Sequence, residues 1–242
     1  MRVPRLYCNT ELNLGEIVTL PKTTSHYITK VLRLSNKDKL ILFNGKNKIY
    51  SATIQEAKKE VVVHVDSLEE QNNESSLSIH LYQGISKGSR MDTVMQKAVE
   101  LGVTEITPVF TERCEVKLDA KRLESKLEHW QKIIESACEQ SIRNTVPVLN
   151  TATKLDENTF DNNALTVVLN PYGTSNLKKI NIDSNKQINL LIGPEGGFTE
   201  QEIQNAINNG AIDTKLGPRV LRTETAALAA ITALQALYGD LT

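Results

Sequence analysis

The chain of 242 residues reads as an α/β protein, a small β-rich module followed by a larger domain in which strands alternate with helices. Three observations predict it. Up to about Asp66, short runs rich in β-branched residues are punctuated by turn residues. From Leu77 onward, apolar strand-like runs alternate with longer helical stretches, the rhythm of a mostly parallel sheet covered by helices. Between them Leu68 to Ser76, LEEQNNESS, is polar and without periodicity, which marks a linker. The expected domains are therefore residues 1–70 and 71–242.

In the first module EIVTL is closed by Pro21, and LILF leads through Asn44-Gly45 into KIYSATI, a hairpin signal because Asn and Gly tolerate positive φ. EVVVHV completes what looks like a small barrel. SHYITKVLRL, residues 25–34, is expected to be a short helix with Tyr27 or Ile28, Val31, Leu32 and Leu34 near one face. In the second domain SIHLYQGI is a strand, and RMDTVMQKAVELG a helix with Met91, Val94, Met95, Ala98 and Leu101 inward, ended by Gly102. EITPVFT is the next strand. ESKLEHWQKIIESACEQS is a long helix whose Leu127, Trp130, Ile134, Ala137 and Cys138 form a packing stripe. ALTVVLN, INLLIG, the helix TEQEIQNAINNG, the short DTKLG and a last helix from Thr225 to Tyr238 follow. That last helix is apolar nearly all round, so it needs cover on more than one face, from its own domain or from a second copy of the chain.

Composition excludes several classes. No run approaches the roughly 18 apolar residues of a membrane span, and MRVPRLYCNT lacks the apolar core of a signal peptide, so a cytoplasmic protein with no membrane partner is expected. Cys8, Cys114 and Cys138 are odd in number, far apart and without a CxxC pair, which suggests small buried thiols rather than disulfides or a metal site. The net charge of −1 conceals an asymmetry: residues 1–50 carry nine Lys and Arg against Glu11, Glu16 and Asp38. A basic first module on an acidic larger domain fits a part that grips phosphates and a part that does chemistry, although a solvated lysine surface gives the same count.

Ligands of α/β sheets sit beyond the C-terminal strand ends, and three such ends are unusual here. VVLN runs into Asn170-Pro171. LLIGPEGGFTEQEI sets Gly193, Gly196 and Gly197 between a buried strand and a helix whose start is marked by the capping-box spacing of Thr199 and Glu202. It lacks GxGxxG and Walker Lys-Ser/Thr, and Glu195 opposes a phosphate, so a nucleotide-dependent hydrolase is disfavoured. A carboxylate among glycines suits a hydroxyl-rich or cationic ligand, and S-adenosylmethionine is both; a plain glycine turn with a solvent-facing Glu195 is the alternative. The third end, LGPRVLRTETAAL, crowds Arg219, Arg222 and Glu224 before an apolar helix that Thr223 or Thr225 can cap. These arginines suit RNA phosphate or base carbonyls, unless they form an ion-pair network that braces the helix. Further polar residues stand at element ends: Lys87, Ser89 and Arg90; Glu112 and Arg113; Glu139, Gln140 and Arg143; and Arg5 beside Pro4.

These segments, RVPRLY, HYITKVLRL, KAVELGVTEITPVFTERCEVKLD, WQKIIESACEQSIRNTVP, LLIGPEGGFTEQEI and LGPRVLRTETAALAAITALQ with the closing YGDL, resemble the RsmE family across essentially the whole chain. Its members are bacterial methyltransferases of uridine N3 in small-subunit (16S) ribosomal RNA. The resemblance implies a PUA-like RNA-binding β-barrel followed by a SPOUT-type α/β domain with a deep trefoil knot, here at about residues 165–230. It also implies a homodimer, no metal, a partner in ribosomal RNA or the small ribosomal subunit, and S-adenosyl-L-methionine held by Leu169, Asn170, Pro171, Ile192, Gly193, Pro194, Glu195, Gly196, Gly197, Leu216, Gly217, Leu221, Thr223, Thr225 and Ala226. Uridine N3 must lose a proton while charge spreads over O2 and O4, so Arg222 is expected to steady the oxyanion and Glu224 or Glu195 to take or orient the proton. Arg5, Arg33, Lys87, Arg90, Arg113, Arg143 and Arg219 are the expected RNA contacts. The rival from another class is a non-catalytic RNA-binding module of ribosome assembly.

Overall fold

The computed structural model describes residues 3–156, 164–182 and 187–241. Arg2, counted in the basic N-terminus, and residues 183–186 of the expected knot segment lie outside them. The chain forms two compact units, Met1–Glu74 with Glu135–Val146, and Ser75–Ile134 with Pro147–Thr242. The division expected at residue 70 thus leaves out a distant stretch, 135–146, that packs with the first unit.

In the first unit β1 (Arg5–Tyr7), β2 (Ile17–Thr19), β3 (Lys39–Phe43), β4 (Lys48–Ala57) and β5 (Val61–Glu70) form one sheet ordered β1-β3-β4-β5-β2. All neighbours are antiparallel except β1 and β3. Period-2 pleating buries Tyr50, Ala52 and Ile54 of β4 and Val61, Val63 and Val65 of β5, which meet Leu6, Leu20, Ile28, Leu40 and Leu42 in one core. The β3–β4 hairpin turns where expected, but its positive φ values fall on Gly45 (81°) and Asn47 (59°) and not on Asn44. β5 extends into the expected linker, because Leu68, Glu69 and Glu70 stay paired with Tyr50, Ile49 and Lys48.

The helix expected over residues 25–34 begins earlier, as α1 (Lys22–His26), and continues as a π-helical turn, Tyr27–Val31, in which Leu32 N bonds Tyr27 O at 3.0 Å. A five-residue repeat rotates the following side chains off the helical stripe. Val31 is accordingly exposed where it was expected to face inward, while Ile28 is buried. Arg33, at φ 56°, ends the turn.

The second unit holds β6 (Ile79–Gly84), α2 (Arg90–Glu100), β7 (Glu105–Phe110), most of α3 (Ala120–Ser141), β8 (Val148–Leu149), β9 (Thr153–Lys154), β10 (Leu165–Leu169), β11 (Ile188–Ile192), α4 (Glu200–Asn208), β12 (Ile212–Thr214) and α5 (Thr223–Tyr238). Its strands run in the order β12-β10-β11-β6-β7-β8, with β9 also on β7, and every pair is parallel. β6 and β11 are buried at every position, as strands covered on both faces must be. On one face Tyr82, Val109, Val168 and Leu191 pack with Phe198, Ala206 and Ala211. α2 and α5 pack on each other, with Met91, Val94, Met95 and Ala98 of α2 buried.

The last helix starts at Thr223, two residues before expectation. Ala227, Ala230, Ile231 and Leu234 are buried; Thr225, Thr232, Ala236 and Leu237 stay exposed, so one face lacks the cover its composition calls for. Gln235 is buried within α5; its amide donates to Leu101 O (3.2 Å) and its carbonyl accepts from the Ser75 hydroxyl (2.7 Å). No helix among the described residues is long and apolar enough to cross a membrane. Cys8 and Cys138 are buried free thiols and Cys114 is half-buried.

Candidate active site

Parallel strands ending side by side bring the loops after β10, β11 and β12 together with the first turn of α5. They enclose a cavity of about 670 Å³, within the usual range for small-molecule sites. Leu169, Asn170, Pro171, Ile192, Gly193, Pro194, Glu195, Gly196, Gly197, Leu216, Leu221, Thr223 and Ala226 line it, as do Arg222, Glu224, Arg219, Arg90 and Arg113. Of the expected cofactor residues, Gly217 and Thr225 are not among the lining: Gly217 turns the chain at φ 77°, and Thr225 is exposed on α5.

The 192–198 loop is held in place from several sides. A Cβ on Gly84, at the end of β6, would lie 2.4 Å from Pro194 N, so only glycine lets strand and loop approach this closely. Gly197, at φ 68°, closes a turn in which its N–H bonds Pro194 O at 2.9 Å. Two of the loop's glycines that line the cavity are also packed against the protein itself. A Cβ on Gly193 would crowd the backbone of Gly197 at 3.1 Å, and one on Gly196 would meet Arg113 Cβ at 3.0 Å, so both answer to the protein's own packing. The capping box is present: Glu202 N donates to Thr199 Oγ1 (3.2 Å) and Thr199 N to Glu202 Oε2 (2.8 Å).

Neither Thr223 nor Thr225 caps α5. Arg222 is the N-cap residue and makes no side-chain cap bond. The Thr223 hydroxyl instead donates to Gly193 O (2.5 Å) and accepts from Gln83 Nε2 (2.9 Å), tying α5 and β6 to the loop. Asn170 is similarly committed, its Nδ2 donating to Asp213 Oδ1 (3.0 Å) while its Oδ1 accepts from Tyr172 N (3.0 Å).

The charges divide into engaged and free groups. Glu195 Oε1 accepts from Lys87 N (2.8 Å) and Arg90 Nη1 (2.9 Å). Burial by itself would raise its pKa, but backbone N–H groups, the Ser86 hydroxyl and the Arg90 charge together hold it below the usual carboxylate value. Glu195 is solvent-exposed, as a plain glycine turn would leave it, yet these donors hold it in place and ionised. Glu224 differs: its Oε2 is buried and has no hydrogen-bond partner, Arg90 Nε lying 3.8 Å away. The bracing arginine is thus Arg90, whereas Arg219 and Arg222 are exposed and make no ion pair with any described residue. Lys87 Nζ pairs with Glu115 (2.5 Å), and Arg113 donates to Gly196 O and Phe198 O, both at 3.2 Å. Among the described residues no cluster of three or more His, Cys, Asp or Glu could hold a metal ion.

Three expected RNA contacts belong to the first unit. Arg33 is exposed. Arg5 lies 4.3 Å over the Phe43 ring and donates to Arg143 O (3.0 Å) and to Asn144 Oδ1. Arg143 needs correcting, since it is only 4% exposed and its guanidinium forms an ion pair with Glu74. A charge sealed in this way braces the fold and offers nothing to a phosphate. Sequence reasoning missed Gln83, Thr214, Phe198 and Ile203. Gln83 had a signal, a polar residue inside the apolar run SIHLYQGI; the others depend on which loops become neighbours.

A family model for an RNA methyltransferase domain matches residues 73–235, and one for an RNA methyltransferase PUA domain matches residues 20–66. The ribosomal RNA small subunit methyltransferase E of Buchnera aphidicola (subsp. Schizaphis graminum) is 41% identical over 99% of this chain and 98% of its own length. A Legionella pneumophila protein solved with bound SAM is 42% identical with a TM-score of 0.95, covering 100% of both chains. The ribosomal RNA small subunit methyltransferase E of Neisseria gonorrhoeae, solved bound to S-adenosyl methionine, is 39% identical with a TM-score of 0.92, again over 100% of both chains.

Proposed function

The chain belongs to the ribosomal RNA small subunit methyltransferase E family, and from that premise we propose that it methylates N3 of a uridine in small-subunit (16S) ribosomal RNA, with S-adenosylmethionine as donor. The observation that carries the reading is the buried Oε2 of Glu224, which lacks any hydrogen-bond donor and has only the Arg90 guanidinium at 3.8 Å, in the wall of a loop-lined cavity of about 670 Å³. An orphaned carboxylate oxygen is costly unless a ligand supplies the missing proton donor. When bound, S-adenosylmethionine supplies a methyl group activated by a sulfonium cation.

The pocket residues divide the remaining work. Leu169, Ile192, Leu216 and Leu221, with the backbone of 192–197, offer apolar and peptide surface to an adenosine group. Glu195 is occupied in fixing the Lys87 backbone and Arg90, and its lowered pKa makes it a weak base. Glu224 is then the residue that accepts the N3 proton. Arg222, exposed on the cavity rim and free of ion pairs among the described residues, donates to the uracil oxygen on which charge develops. Arg219 and Arg33 are free to meet RNA phosphates, while Arg5, Lys87, Arg90 and Arg113 serve mainly to hold the structures that present the site.

The same reading makes residues 1–70 a PUA-like barrel for RNA and 165–230 a trefoil knot. The knot draws support from β12, which follows β11 in the chain yet lies beyond β10, and from the 216–222 loop sharing one cavity with the loops after β10 and β11. It also makes the protein a cytoplasmic homodimer, the exposed apolar residues of α5 meeting a second copy.

The test is single-turnover methylation of small ribosomal subunits from cells lacking the protein, with the modified uridine mapped by mass spectrometry. Glu224→Gln is expected to slow the chemical step by roughly 10²–10⁴ while cofactor affinity by calorimetry stays close to wild type. Glu195→Gln should weaken cofactor binding more than the rate at saturation. Wild-type turnover by Glu224→Gln would overturn the assignment of the base, and an unmodified N3 after treatment with the wild-type protein would overturn the reaction itself.

A further inference from the structure

Tyr172 is 85% exposed although it lines the cavity of a folded domain. An aromatic ring left in water forgoes the burial that usually stabilises it, so its position calls for a cause. The backbone beneath it is fixed: Tyr172 N donates to Asn170 Oδ1, Asn170 Nδ2 to Asp213 Oδ1, and Thr174 N to Asp213 Oδ2 at 3.2 Å. The ring is therefore presented from a rigid turn, and no aromatic or cationic side chain among the described residues stacks on it. On the same cavity rim Val220 is 72% exposed, and Arg219 and Arg222 are exposed cations without ion pairs among the described residues.

An apolar ring on a rigid support beside two free guanidiniums is complementary to one class of ligand, a flat base carried on a polyanionic backbone. We propose that Tyr172 is a stacking platform for a nucleobase of the RNA substrate, the base to be modified or its immediate neighbour, and so a determinant of substrate selection. This rests on the methyltransferase reading above. A base drawn from its stack loses stacking energy that a fixed aromatic face restores, which favours an unpaired or loosely stacked nucleotide at the site. Val220 would close on the ribose or base edge while Arg219 holds the flanking phosphate.

The experiment measures steady-state methylation of small ribosomal subunits by the full-length protein and its Tyr172→Ala and Tyr172→Phe variants, alongside cofactor calorimetry and sedimentation of each. Activity of the wild-type protein checks the underlying reading independently. The stacking role is supported if Tyr172→Ala raises KM for the RNA roughly 10-fold or more while Tyr172→Phe stays near wild type, with cofactor affinity and molar mass unchanged. An unchanged KM in Tyr172→Ala overturns it. So does a loss confined to cofactor affinity, which would make the ring a cover for the methyl donor, or a change in molar mass, which would make it an interface residue between copies.

Discussion

Replacing Gly84 by Ala adds one methyl group, and the structure places it where there is no room. The new Cβ would stand 2.4 Å from Pro194 N, 2.6 Å from Pro194 Cδ and 2.8 Å from Gly193 C. Ordinary contacts need about 3.5 Å, so a displacement of about 1 Å is required. β6 cannot supply it, because its end is paired with β11 through Gln83 and Ile192 and with β7 through Gly84 and Val109. The obstructing atoms are backbone and a proline ring, which have no rotamer to change. The 192–197 loop must therefore move, carrying Glu195 with it and straining the Thr223–Gly193 bond. Overpacking of this kind costs about 1–3 kcal/mol, which at about 2–4 °C per kcal/mol for a chain of this length lowers the melting temperature by several degrees. Misplacing a binding loop by about 1 Å can cost roughly 100-fold in activity; a loss of about 10-fold or more in cofactor affinity is expected by calorimetry. Gly84 itself does not line the cavity, so the effect can come only through the loop. A Gly84→Ala protein that melts and binds S-adenosylmethionine like wild type would refute the reasoning.

Two further perturbations address the framework of each unit. In the first, Glu74→Ala strands the sealed Arg143 charge and is expected to destabilise by about 3–5 kcal/mol in denaturant unfolding, with the Glu74→Leu/Arg143→Met double variant recovering most of it; a loss under about 1 kcal/mol would contradict the burial of the pair. In the second, burial lowers the His80 pKa to about 4 against the opposing charge of Glu105. The unfolded chain protonates this group near its ordinary value of 6.5 while the folded one resists until about 4. Its contribution is full above pH 6.5 and is lost as pH falls through the window to about 4, amounting to as much as about 3 kcal/mol. His80→Gln should flatten the pH dependence of stability in that window, and an undiminished slope would exclude His80 as its origin.

Local chemistry made much of the molecule legible in the chain. Alternation in KIYSATI and EVVVHV, helical spacing in RMDTVMQKAVE, the turn at Asn44-Gly45 and the box of Thr199 and Glu202 all depend on neighbours within a few residues, and each formed where expected. Even the site's three segments could be read, because glycine, proline and charge at strand ends are local departures from a buried pattern.

What the chain could not show is which of those segments' atoms are already taken. Glu195 and Glu224 are both carboxylates in promising loops; only the fold hydrogen-bonds one to the Lys87 backbone and Arg90 and leaves a buried oxygen of the other without a hydrogen-bond donor. Arg143 and Arg222 read alike until Glu74, distant in sequence, seals the first. The 192–197 loop reads as a ligand cradle, yet Gly193 and Gly196 are small because the backbone of Gly197 and the side chain of Arg113 come close. A residue's identity sets which bonds it can make, but its partners are chosen by packing between segments far apart in the chain. For that reason the sequence determined where the pocket lies, and the tertiary structure alone decided which of its groups are free to act.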